Sequence, residues 1–143
     1  MEETEQLRTR IADMERGLLQ QEAQELLPTV RKIGNVNVLS SRISASSVDA
    51  MRETGDWVKS KVSSGVVVLG AIIDARPLMV AMVTPDLVKK GFHAGNIMKE
   101  AAILIGGGGG GRSDIAQAGG KNSDKMDDAL KEVFHIVSRE AKL

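Results

Sequence analysis

Six consecutive glycines, Gly106, Gly107, Gly108, Gly109, Gly110 and Gly111, run directly into Arg112. Glycine loses more backbone freedom on folding than any other residue, so a packed domain that keeps such a run must use it. Without Cβ atoms, a chain can approach another group closely, and successive N–H groups can form a concave nest for an anion. An arginine at its end adds a planar fork that matches phosphate geometry. The run therefore predicts a contact with phosphate or with a nucleic-acid backbone. The alternative is a flexible linker. A linker joins self-sufficient units, yet residues 121–143 after it suffice for only one helix. That helix must pack back onto what precedes it, which puts the glycines in a loop between two helices of one domain. Long structureless connections inside a compact domain are uncommon and are more often functional.

A chain of 143 residues fits one domain with a helical extension. Its formal net charge is zero, which argues against a general electrostatic glue for nucleic acid. The charge is unevenly placed. Residues 1–27 hold seven carboxylates against three arginines, a net of −4, so the remainder, which holds the glycines, carries +4. With no cysteine, disulfides and thiolate metal sites are excluded. The acidic start has no apolar segment behind it, and no run reaches membrane-spanning length, so the sequence reads as cytoplasmic with no membrane partner. Trp57, Phe92 and Phe134 are the only aromatics, too few for a single-strand stacking platform.

The hydrophobic pattern predicts an α/β (α+β) fold: a single mixed sheet flanked by helices, with an N-terminal helical arm. The arm takes residues 1–33 and the globular unit residues 34–143. Leu7, Ile11, Met14 and Leu18 recur at spacings of four and three, a narrow seam suited to packing against the domain, another helix or a second copy. Residues 35–43 alternate like a strand, and Ser46-x-x-Asp49 resembles a capping box before a helix with Val48, Met51, Gly55 and Val58 on one face. The nearly unbroken apolar run Val66–Ile73 marks a buried strand, paired through a turn at 74–77 with a strand at Leu78–Val83. Residues 86–91 fit a helical turn. A stripe at Ala94, Ile97, Met98, Ala101 and Ile105 fits a helix that runs into the glycines. Residues 114–118 fit a short strand. Ser123 is the expected N-cap of a last helix whose buried face is Met126, Leu130, Val133, Phe134 and Val137.

Catalysis is hard to build from these residues. His93 and His135 are the only histidines, the first placed to cap a helix and the second beside core positions. No zinc, paired-acid, Walker or dinucleotide motif is present. The candidate binding residues are Gly106–Gly111, Arg112, Gln117, Lys121 and Lys99, with Lys125, Lys89 and Lys90 as further rim. Gln117 lies among small residues that would let a ligand reach its amide. Trp57 reads as a core or interface anchor.

The residues His93-Ala94-Gly95-Asn96-Ile97-Met98-Lys99-Glu100-Ala101-Ala102, the run Gly106–Arg112, and Asp114-Ile115-Ala116-Gln117-Ala118-Gly119-Gly120 together resemble the C-terminal domain of alanyl-tRNA synthetase, within the superfamily of domains that accompany DHH phosphoesterases. Val66–Gly70 and Val83-Thr84-Pro85-Asp86-Leu87 extend the likeness to nearly the whole chain. Arg112 favours the synthetase branch, since the wider superfamily ends its glycine signature in histidine. Two positions depart from the family pattern: Gly108 stands where lysine is usual and Ser113 where proline is usual, which predicts a looser loop with one phosphate contact fewer. The resemblance implies a non-catalytic part of a longer enzyme that grips tRNA(Ala) at the outer corner of its L, the elbow, and supports aminoacylation and editing. It implies ATP, magnesium and zinc for the parent enzyme, no cofactor for this chain, no DNA partner, and homodimer formation in some members. An assembly module of the same enzyme, or the accessory domain of a DHH-type phosphoesterase, are the alternatives.

Overall fold

Gly65–Ile73 lies in the interior of a six-stranded sheet, where its apolar sequence predicts it. The computed structural model describes residues 17–18 and 21–141. Its strands are β1 (Arg31–Ile33), β2 (Val36–Arg42), β3 (Gly65–Ile73), β4 (Arg76–Val83), β5 (Gly108–Gly111) and β6 (Ile115–Gly119). Its helices are α1 (Val48–Lys61), α2 (Pro85–Lys89), α3 (Ala94–Leu104) and α4 (Met126–Glu140), with further helical residues at 21–26. The strand order is β1-β2-β3-β4-β6-β5. Only β2 and β3 run parallel, and α1 supplies the crossover that a parallel pair needs. The other pairings are antiparallel, so the architecture is α+β with one mixed sheet.

Side chains alternate across a strand, so each strand feeds two cores. Val66, Val68, Met79 and Ala81 meet Ile97 and Met98 of α3 and Val133 of α4 on one face. Val67, Leu69, Val80 and Met82 meet Met51 and Val58 of α1 on the other, where Ala23 joins them. Burial on both faces is why β3 reads as continuous rather than alternating. Coverage is unequal. Helix α3 lies on β4, β5 and β6, and α4 on β1, β2 and β3. Helix α1 packs mainly on β3 and β4, so among the described residues the α1 side of β5 and of most of β6 is left open.

Several local expectations change. Ser47, not Ser46, caps α1: its Oγ accepts the Ala50 N–H at 3.1 Å. His93 does cap α3, its Nδ1 accepting the Asn96 N–H at 3.1 Å. Ser123 opens a 3-10 turn and makes no side-chain cap; α4 starts at Met126. Phe134 is only partly buried, with the Arg31 guanidinium 4.5 Å from its ring centroid. Arg31–Ile33 pair with β2, an addition that three residues with no period cannot announce. Of the arm's seam, Leu7, Ile11 and Met14 lie outside the described residues, and Leu18 is 65% exposed.

The largest correction concerns the glycines. Only Gly106 and Gly107 lie in a turn, and Gly108–Gly111 is an edge strand paired with β6. Gly106 is the left-handed residue, at φ +67°, that ends α3. Its N–H reaches the Ile103 carbonyl and that of Gly107 reaches Ala102, a Schellman pair. A Cβ on Gly107 would lie 1.9 Å from the Gly119 carbonyl oxygen, one on Gly109 2.6 Å from the Ala118 Cβ, and one on Gly111 2.8 Å from the Ala116 Cα. Gly95 in α3 does the same, at 2.7 Å from the Gly111 oxygen. These glycines let helix, turn and hairpin backbones touch, an offset to the low strand propensity of glycine. Gly108 and Gly110 differ, since a Cβ on either meets nothing within 4 Å. Accordingly Gly107→Ala should cost about 2 kcal/mol or more, through forced backbone displacement. Gly108→Ala should be neutral or stabilise by up to about 1 kcal/mol. Thermal unfolding of the two variants checks this, and equal effects would contradict it.

Candidate functional site

The bare half of the sheet is a groove. Residues directly opposite in an antiparallel pair point to the same side. Leu78 faces Gly119 and Val80 faces Gln117 across β4 and β6, while Gly119 faces Gly108 and Gln117 faces Gly110 across β6 and β5. The floor beside α1 is therefore Leu78, Val80, Gln117 and two glycines of β5. Three adjoining cavities follow it. One of about 530 Å³ is lined by Arg76, Lys121 and the backbones of Gly106, Gly107, Gly119 and Gly120. The middle one, about 190 Å³, has Val48, Leu78, Val80, Gly108 and Gln117. The third, about 450 Å³, has Arg52, Arg112, Gly110, Ile115 and Gln117. Leu78 and Gly119 are shared by the first two, and Gln117 by the last two, so the groove is continuous.

Arg52, Arg76, Arg112 and Lys121 are exposed, and none is in an ion pair among the described residues. No carboxylate lines any of the three cavities. The groove is thus a neutral, partly apolar floor with two cations at each end. Arg112 is held by its backbone. Its N–H donates to the Ile115 carbonyl at 2.9 Å, and its carbonyl accepts from Gly95 at 3.0 Å. The Ser113 carbonyl accepts from Ala94 and the Asp114 carbonyl from Val83, both at 2.9 Å. The turn that carries Ser113 is therefore pinned to the start of α3 and the end of β4. The expected concave nest of glycine N–H groups is not built, because Gly108–Gly111 is extended. The N–H groups of Gly106, Gly107 and Arg112 serve internal carbonyls. Along the edge strand Gly108–Gly111 alternate N–H groups face β6 and the others face outward.

The structure places Arg112, Gln117, Lys121 and the glycines along one groove, with Arg112 at one end and Lys121 at the other. It leaves Lys99 exposed on α3, the layer across the sheet, and Lys89 at the end of α2. Lys125 lies 4.0 Å from Asp128. Arg52 and Arg76 are functional candidates that the sequence does not flag. Arg52 is one of several charges on the solvent side of α1, and Arg76 follows a turn with positive φ at Asp74 and Ala75. Only the non-local pairing of β4 with β6 brings Arg76 beside Lys121.

The two displaced carboxyls lie elsewhere. The Ser64 hydroxyl donates to Asp86, and Thr84 adds a second bond, which hold that carboxyl below its ordinary value. Burial pushes Glu140 up, against the hydrogen bond from the His93 N–H and with help from nearby Glu100. No group of three or more His, Cys, Asp or Glu that could hold a metal ion occurs among the described residues. No helix among them is long and apolar enough to cross a membrane.

The DHHA1 domain model matches residues 35–139. The chain is 42% identical to an alanine–tRNA ligase of Dehalococcoides mccartyi over 95% of its own length, and 42% identical to that of Acetivibrio thermocellus over 94%. It spans only 16% and 14% of those relatives. Among solved structures it resembles the C-Ala domain from Aquifex aeolicus alanyl-tRNA synthetase, at TM-score 0.68 and 24% identity, covering 76% of this chain and 97% of that one. It also resembles RecJ in complex with Mg2+ from Thermus thermophilus, at TM-score 0.60 and 11% identity, covering 92% of this chain and 19% of that one. At those identities the two structures show a shared fold. With its family model matched from β2 to α4, the chain belongs to the DHHA1 domain family.

Proposed function

We propose that this chain is a non-catalytic tRNA-binding domain of an alanine–tRNA ligase, and that it grips tRNA(Ala) at the elbow. The observation that carries the reading is the groove: four cations, unpaired among the described residues, around a floor from which two glycines hold side chains away. Phosphates fix the register of a nucleic acid on a protein and are met by arginine and lysine, with little need for aromatic platforms. In this reading Arg112 and Lys121 take backbone phosphates, and Gln117 hydrogen-bonds a sugar or base. Gly108 and Gly110 are the surface the RNA rests on. Gly106, Gly107, Gly109 and Gly111 hold that surface in shape. Lys99 serves only an RNA that wraps round onto α3. The similarity to alanine–tRNA ligases over 95% of the chain supplies the choice of tRNA. The parent enzyme would work in the cytoplasm, with ATP, magnesium and zinc used by its other domains and none needed by this one. Residues 1–33 would form the arm and 34–143 the gripping unit.

A second role, in joining two copies, is favoured by one observation: Leu18, last of the heptad seam, is 65% exposed. Light scattering should then show a dimer that dissociates when Ile11 and Met14 are made polar. A monomer at high concentration would end that reading.

Binding of the chain to alanine tRNA across a salt series tests the primary function. Affinity should fall with salt, with log K losing about 0.7–0.9 per phosphate contact per log unit. Arg112→Ala should weaken binding about tenfold and flatten the slope by about one contact. Absence of binding at low salt would refute the proposal.

A further inference from the structure

Resting on that reading, we infer that the groove is a two-ended clamp for a short unpaired or looped stretch of nucleic acid. Arg76 and Lys121 hold a phosphate at one end, Arg52 and Arg112 hold another, and a base enters the slot between them. Neither Arg52 nor Arg76 belongs to the glycine signature; each is brought to the groove by a different element, α1 and the start of β4. Along β6, four strand steps separate Gly119 at one end from Ile115 at the other. At about 3.3 Å per strand residue this is roughly 13 Å. That distance exceeds the Debye length of about 8 Å at physiological salt, so the two pairs act as separate anion sites. It corresponds to about four stacked nucleotides, or fewer extended ones.

The middle of the groove argues for an unpaired strand. Its cavity of about 190 Å³ has apolar walls, Val48, Leu78 and Val80, and one amide, Gln117. A slot of that size is on the scale of one planar heterocycle rather than of a duplex. In a duplex the bases are stacked and paired, and none is free to enter. In a loop, bases splay out and offer their hydrogen-bonding edges, which is how most sequence-specific RNA recognition works. The absence of carboxylates along the groove disfavours a basic partner, and the two-ended charge disfavours a single small anion.

The test uses the 143-residue chain with three labelled probes: an RNA hairpin with an open loop, a blunt RNA duplex of equal length, and polyglutamate. Arg52→Ala and Arg76→Ala are made singly and together. Both side chains are exposed, so folding should be unchanged, which circular dichroism checks. The clamp predicts that the hairpin binds about tenfold more tightly than the duplex, and that polyglutamate does not compete. Each single variant should lose about three- to tenfold, with the salt slope reduced by about 0.7. The losses should multiply in the double variant, as expected for distant sites. If Arg112→Ala weakens binding while Arg76→Ala leaves affinity and slope unchanged, the clamp is wrong and the functional reading survives. Equal binding of duplex and hairpin, or competition by polyglutamate, also overturns the clamp. Failure of the unsubstituted chain to bind the hairpin and alanine tRNA overturns the functional reading itself.

Discussion

Backbone touching backbone without Cβ atoms is the constraint on which the rest of this structure depends. Helix α3 can lie directly on the β5–β6 hairpin because Gly95 meets Gly111, Gly107 meets Gly119, and Gly120 meets Ile105, where a Cβ would lie 2.3 Å from the carbonyl oxygen. The Ile105 carbonyl also accepts the N–H groups of Lys121 and Asn122, both at 2.9 Å, so the same corner sets the exit of β6. Loosening any of these contacts would shift the hairpin relative to β4. With it would move the register that aligns Gln117 with Val80 and Gly119 with Leu78.

That packing has an electrostatic consequence. The chain has no net charge, so it presents no general field to nucleic acid. Positive charge is concentrated instead, because the turn after β5 pins Arg112 while β4 and α1 bring Arg76 and Arg52 to the same face. Exposed cations hold little interaction energy within the free protein. In the proposed reading their value is in meeting phosphates beside a floor partly shielded from water, where charge-assisted bonds are stronger than between neutral groups.

Much of the fold was legible because its signals are local. The apolar run of β3, the stripe of α3 and the capping role of His93 each depend on neighbours a few residues away. The glycine run was misread in shape. Glycine has low intrinsic strand preference, and only tertiary pairing with β6 makes Gly108–Gly111 a strand. The nest failed for the same reason: an extended strand aims successive N–H groups to opposite edges, and the helix end takes those of Gly106 and Gly107. Arg52 and Arg76 were hidden because their meeting with the hairpin is set by sheet order, which joins β4 to β6 across more than thirty residues of chain. Lys99 was grouped with the rim by proximity in sequence, but α3 carries it to the opposite layer.

The central claim is that one side of β5 is kept bare for a ligand. Gly110 isolates it: it has neither a packing neighbour for a Cβ within 4 Å nor a left-handed φ to explain the glycine. The decisive measurement is the affinity of Gly110→Val for alanine tRNA alongside its melting temperature. The account predicts an unchanged or higher melting temperature with RNA binding weakened about tenfold or more. Unchanged binding would contradict it, and would mean that the RNA, if it binds, rests on some other face.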